Sequence, residues 1–175
     1  MSRSHVVQCS VKSRTLIPDQ DLGVLAIGGD VVCPQDYGSA VKQYPEVDFS
    51  QELRTDWFKS PMYLPRLECK YRAVATKCED CDEPVTPYAV LLDLLAGDFI
   101  SFGYIGLLEL YRQNIAKFVP GKEYVVVASW DESPLLPGLW IPESGGRPIL
   151  RGYGHDVVWD STRTRFVQLE VYRAQ

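Results

Sequence analysis

The sequence predicts an α+β fold, with a mainly antiparallel sheet covered on one face by two central helices. Three observations predict it. Short apolar segments with strand-like patterning gather toward both ends of the chain, and two stretches of helical composition lie between them. No regular strand–helix–strand alternation links the two kinds. The 175 residues suit a single domain over 1–175, because two cores of ordinary size would crowd that length. An apolar share of 46% beside 23% charged residues is a globular balance and excludes a disordered chain. No apolar run approaches the roughly twenty residues of a membrane span, so no membrane partner is expected.

The elements follow in order. His5 to Lys12 alternates, with Val7, Cys9 and Val11 on one face, and predicts an edge or half-buried strand. Gly23 to Gly29 is a short apolar run bounded by glycines, as in a buried strand. A short helix is expected over Tyr37 to Tyr44. Asp48, with Gln51 three residues on, predicts a cap for a helix over Glu52 to Lys59. Pro61 and Pro65 force an extended stretch, and Leu67 to Thr76 alternates as a strand with Cys69, Tyr71, Ala73 and Ala75 on one face. An acidic, turn-like knot follows over Lys77 to Pro84. Thr86 as cap and Pro87 at the first helical position open a helix over Tyr88 to Ala96 that Gly97 ends. It is apolar nearly all round and belongs deep in the core. A second helix is expected from Tyr104 to Val119, ended by Pro120 and Gly121. The last third reads as β: a strand in Glu123 to Trp130, a long ordered loop over Ser133 to Gly146, then strands over Ile149 to Tyr153, Asp156 to Asp160 and Arg165 to Arg173. The last two are expected to pair as a hairpin through Ser161 to Arg163.

The formal charge of −5 is unevenly spread. Eight acids stand between Leu16 and Ser60 (Asp19, Asp21, Asp30, Asp36, Glu46, Asp48, Glu52, Asp56) against Lys42, Arg54 and Lys59, and 8 − 3 gives the whole excess. From Arg147 onward five arginines face Asp156, Asp160 and Glu170. An acidic front half beside an Arg-bearing tail can orient a partner through complementary fields, although a plainly solvated surface is the commoner reading. The acidic balance makes nucleic acid an unexpected partner. The start lacks the apolar core of a signal peptide, no glycosylation sequon occurs, and five cysteines are an odd count too scattered for a disulfide scaffold. A reducing, cytoplasmic setting is therefore expected, and a viral or phage product made in a host cytosol would show the same features.

Chemistry-bearing residues are few. Cys78-Glu-Asp-Cys81 has the spacing of half a zinc knuckle, and Cys69 on the preceding strand is a third candidate ligand, so structural zinc is the cofactor this pattern admits. No second such pair exists, and the acids around it (Glu79, Asp80, Asp82, Glu83) disfavour thiolates and a redox role. Cys33 early, then His155 entering a strand, then Asp160, is an order that resembles papain-like and transglutaminase-like hydrolases. It implies Cys33 as nucleophile, His155 as base and Asp160 as orienter. Pro34 departs from that pattern, since it removes the backbone N–H next to the nucleophile. Glu68-Cys69-Lys70 with Asp48 twenty residues earlier resembles the acid plus E-x-K set of restriction-type nucleases, which implies a divalent metal. Phosphate-binding glycine loops and multi-histidine metal motifs are absent.

Aromatic residues stand where no regular core face demands them: Trp57 near a helix end and Trp140 in the long loop, which also carries Leu135, Leu136 and Leu139. Tyr and Trp beside Arg are what binding hot spots favour, while side chains folding back under the loop are the plainer alternative. The sequence thus leads to a non-enzymatic protein-interaction module, such as an assembly subunit, inhibitor or immunity-type binder. Its expected surface is the aromatic, Pro-rich loop (Trp140, Leu139, Leu136) with Trp57 and the acidic front half. The Cys33/His155 hydrolase is the alternative.

Overall fold

The computed structural model describes residues 16–56, 70–78, 102–126, 135–154 and 156–172. It shows an α+β fold. Seven strands form one mixed sheet in the order β1-β3-β7-β4-β5-β6-β2. The strands are β1 (Leu16–Ala26), β2 (Asp48–Phe49), β3 (Lys70–Cys78), β4 (Glu123–Val125), β5 (Leu136–Trp140), β6 (Ile149–Tyr153) and β7 (Thr164–Val171). The helices are α1 (Tyr37–Gln43), α2 (Leu53–Asp56) and α3 (Tyr104–Gln113), with a 3-10 turn over Ile115–Lys117. Pairing is antiparallel except for β7 with β4 and β6 with β2. The mainly antiparallel expectation holds. The expected strand over His5 to Lys12 and the expected helix over Tyr88 to Ala96 lie outside the described residues.

Side-chain alternation divides the sheet into two faces. Leu25, Tyr71, Ala73, Leu169, Tyr124, Leu139 and Leu150 belong to the main core, with Ala40 of α1, Leu53 of α2 and Leu107 of α3. On the alternate positions Cys78, Val125, Leu136 and Phe166 form a smaller cluster under Trp159. Strand β3 is thus buried on both faces, which explains why its apolar character runs past the expected end at Thr76. Lys77 and Cys78 belong to the strand and not to a turn.

Helix α3 is buried from Tyr104 through Tyr111 on every side. A carboxylate there must be satisfied, and Glu109 is: the Tyr44 hydroxyl donates to its Oε1 at 2.8 Å and the Arg112 guanidinium lies 3.5 Å away. Arg112 also pairs with Glu46 at 2.7 Å and lies over the Tyr44 ring, which fixes the end of α1 against α3. The helix expected to run to Val119 stops at Gln113, where the side chains of that residue and the next serve β1. Gln113 exchanges two hydrogen bonds with the backbone of Ala26, and the Asn114 amide donates to the Val24 carbonyl at 3.0 Å. They close the outer edge of β1, which would otherwise offer unpaired backbone groups. Gly23 makes this approach possible: its φ is +90°, and a Cβ there would lie 2.2 Å from Asn114 Oδ1.

Four further expectations are corrected. Asp48 caps no helix; it begins β2, whose pairing with β6 is parallel, and α2 starts only at Leu53. The segment Ser133 to Gly146 is no continuous loop, since it holds β5 between β4 and β6. Pro137 is tolerated there because its carbonyl accepts from the Val126 N–H, placing its missing N–H on the β4 side beyond Val125. Asp156 to Asp160 forms a turn and a single bridge residue, Trp159, in place of a hairpin strand, with the Val157 N–H bonded to the Gly154 carbonyl and Asp160 accepting from Thr162. Strand β7 takes β3 and β4 as neighbours instead.

Half of the acids of the front half pair with basic side chains of the chain itself. Asp19 pairs with Arg165 at 2.6 Å and with Lys77 at 3.3 Å; Asp21 pairs with Arg72, Glu46 with Arg112 and Asp48 with Arg147. Asp36 caps α1 through the Ser39 N–H at 2.7 Å. Two of the partner arginines, Arg147 and Arg165, come from the basic tail. The charge asymmetry seen along the chain is therefore in part a record of internal pairing.

Candidate binding cleft

Strands β4, β5, β6 and β7 carry a row of cross-strand neighbours on the face opposite the main core. Glu123 stands opposite Trp140 on one side and Thr164 on the other, and Trp140 stands opposite Ile149. Two residues along, Gly138 lies opposite Arg151. Trp140, Arg151, Tyr153 and Glu123, with the turn carrying Val157 to Asp160 and with Arg163, line an open cleft of about 380 Å³.

Its floor is a packed polar pair. Glu123 is 6% exposed, and the Tyr153 hydroxyl donates to its Oε1 at 2.6 Å. Both side chains lie across the bare backbone of Gly138, where a Cβ would come within 2.6 Å of the Tyr153 ring and 2.8 Å of Glu123 Oε1. Desolvation raises the Glu123 carboxyl above the usual carboxylate range, against the Tyr153 hydrogen bond and the Arg151 charge that lower it. Burial, reinforced by Glu123, likewise raises the Tyr153 phenol. Arg151 reaches over this pair: its Nη1 is 3.8 Å from Glu123 Oε2, it acts on the Tyr153 phenol by hydrogen bonding and charge, and its guanidinium lies 5.7 Å from the centre of the Trp140 ring.

One wall is Trp159, 4% exposed, edge-on to Tyr153 at 6.0 Å and to Phe166 at 5.4 Å. Its indole N–H is buried and has no hydrogen-bond partner among the described residues. Beside it Val158 is 56% exposed, a large apolar side chain turned to solvent at the rim. Asp160 is held at its post: Oδ1 accepts from the Thr162 N–H and hydroxyl at 2.9 and 2.7 Å, which keeps its carboxyl below the usual range. Asp160 and Tyr153 therefore have their hydrogen bonds, while Trp159 does not.

Of the residues singled out in the sequence, Trp140 is placed in this cleft, half-buried and accessible. Leu136 and Leu139 are fully buried on opposite faces of β5, so they are core residues and no exposed loop presents them. Trp57 lies outside the described residues. Among the proposed metal ligands, Cys78 is buried with Val125, Leu136 and Phe166, whereas Cys69 and Cys81 lie outside the described residues. Among the described residues no group of three or more His, Cys, Asp or Glu is placed to hold a metal ion.

Of the hydrolase residues, the two that are described, Cys33 and Asp160, are not brought together. Cys33 lies in the loop before α1, whose Val31 packs on the main core, while Asp160 rims the cleft on the other face of the sheet. Partial burial raises the Cys33 thiol, the opposite of an activated nucleophile. His155 lies outside the described residues. The nuclease set fares no better: Asp48 on β2 and Lys70 on β3 are five strand spacings apart along the sheet, roughly 24 Å. Glu68 lies outside the described residues.

Sequence reasoning missed Glu123, Arg151, Tyr153 and Trp159. One signal was present: Glu123 opens an otherwise apolar run, and a charged residue at the head of a buried strand asks for a partner. A second cavity, beside α1, is lined by Tyr37, Val41, Lys42 and Arg54, and among the described residues no buried polar group lines it. Among the described residues no helix is long and apolar enough to cross a membrane. Compared with protein-family models, with curated proteins and with solved structures, the chain matches none.

Proposed function

We propose that the chain is a non-enzymatic protein-interaction module whose contact surface is the Trp140 cleft. The observation that carries this reading is the pairing of an accessible tryptophan, stacked with Arg151, and an exposed valine across an open cleft with a buried, satisfied floor. Trp and Arg at the centre of a concave patch are the residues from which binding energy is most often drawn. A rigid floor keeps the ordering cost of association low. The acidic front half has no part in this surface, since none of its carboxylates lines the cleft and half of them pair with arginines and lysines of the chain. The odd cysteine count fits the reducing, cytosolic setting expected for such a module.

The test is a selection from an unbiased displayed-peptide library, counter-selected against Trp140→Ala and Val158→Asp proteins that melt within a few degrees of wild type. Enriched peptides that need both side chains support the reading. A library that yields none, or only peptides indifferent to both substitutions, discards it.

A further inference from the structure

The buried hydrogen-bonding capacity left over in the cleft lies on the donor side. Of its two acids, Glu123 is covered and accepts from Tyr153, and Asp160 accepts twice from Thr162. The donors are less committed. Arg151 sits 3.8 Å from its carboxylate partner, beyond hydrogen-bond length, with its side chain 37% exposed. Arg163 is exposed on the rim, and the Trp159 indole N–H is buried without an acceptor among the described residues. An unmet buried donor beside two accessible guanidinia asks for a ligand that brings oxygen acceptors and negative charge. The remaining wall, Trp140 and Val158, is apolar and asks for an apolar neighbour on that ligand.

We propose that the cleft recognises an acidic–apolar peptide segment, with Arg151 and Arg163 taking a Glu or Asp carboxylate while Trp140 and Val158 pack the adjacent apolar side chain. The inference rests on the binding reading above and names its ligand chemistry. A peptide carboxylate matches the planar fork of a guanidinium, and it replaces the long Arg151–Glu123 contact with a shorter, better-solvated pair. The Arg151–Glu123 contact is long, at 3.8 Å, and Glu123 keeps its 2.6 Å hydrogen bond from Tyr153 when the arginine turns outward. The Asp160 charge opposes an incoming anion; Arg163 and Lys122, the cations that act on Asp160, offset it.

The probe is the peptide acetyl-Ser-Gly-Leu-Glu-Leu-Gly-Ser-amide, compared with its Gln counterpart, by titration into nitrogen-labelled protein with the Trp159 and Trp140 indole N–H signals followed. The expected result is saturable movement of both signals by the Glu peptide, with the Gln peptide bound about tenfold more weakly, the low end for a charge-assisted pair. Arg163→Gln, an exposed position, should weaken the Glu peptide and leave the Gln peptide unchanged; Arg151→Gln should do the same more strongly. Equal binding of the two peptides, or no saturation by the Glu peptide, overturns the carboxylate site. Inorganic phosphate displacing the peptide at matched concentration overturns it in favour of a phosphate site. Either failure leaves the library selection to decide separately whether the Trp140 face binds at all.

Discussion

Gly138→Ala tests whether the floor of the cleft is built as described. The added Cβ would meet Tyr153 Cε2 at 2.6 Å, Tyr153 Cδ2 at 3.1 Å and Glu123 Oε1 at 2.8 Å. The tyrosine cannot simply step aside, because its ring packs edge-on against Trp159 at 6.0 Å. Overpacking of this kind costs about 1–3 kcal/mol. If Tyr153 is pushed off Glu123, a hydrogen bond to a buried carboxyl is lost as well, adding about 1–2 kcal/mol. The expected destabilisation is therefore about 2–5 kcal/mol in equilibrium urea unfolding, with the slope unchanged. Gly29→Ala is the matched control: nothing lies within 4 Å of its Cβ, so its effect should stay within about 0.5 kcal/mol. In a Tyr153→Phe background the hydrogen bond is already gone, and Gly138→Ala should cost about 1 kcal/mol less than in wild type. A Gly138→Ala protein as stable as the Gly29→Ala control would refute the placement of Tyr153 and Glu123 over that glycine.

Four other outcomes follow from the titratable groups. Asp19→Ala leaves Arg165, itself 7% exposed, with only the carbonyls of Ser161, Thr162 and Thr164, and should cost about 2–3 kcal/mol in the same assay. Partial burial would raise the Asp19 carboxyl, but hydrogen bonds and charge from Arg165 and Lys77 hold it below the usual range; its stabilisation is present above that range and is lost as pH falls through the lowered value, so Asp19→Asn should flatten the acid limb of a stability–pH curve. Glu123 has the opposite sign: its raised carboxyl favours folding below the ordinary glutamate range and loses that contribution as pH rises through the raised value, so the stability of Glu123→Gln relative to wild type should increase with pH. Cys33, raised by burial, should label with iodoacetamide at neutral pH no faster than an unstructured cysteine peptide; rapid, selective labelling would restore the hydrolase alternative.

What was legible in the sequence depended on whether the deciding partner was near in the chain. The α1 helix was, because Asp36 and Ser39 cap it within one turn. The alternation of Val167, Leu169, Gln168 and Glu170 likewise marked β7 directly. The end of α3 was not, since Gln113 and Asn114 leave the helix for carbonyls and N–H groups of β1 nearly ninety residues earlier. Strand β5 was hidden by a proline and a glycine at its centre, and only its register shows that Pro137 forfeits no bond to β6. The cleft was partly legible. Trp140 stood out as an aromatic without an evident core role, yet Leu136 and Leu139, from the same segment, point into the two cores. Arg151, Glu123 and Tyr153 meet it only because three strands pair in one register. The acidic front half misled for the same reason, as its partners are arginines brought from the far end of the chain.

The most direct test of the cleft as the recognition surface is the affinity of one selected peptide, measured by calorimetry, for wild type and for Trp140→Ala at matched folded fraction. The account predicts at least about a tenfold loss, the scale of a central aromatic anchor. An unchanged affinity, with the Trp140→Ala protein folded, would contradict it and move the binding surface elsewhere on the molecule.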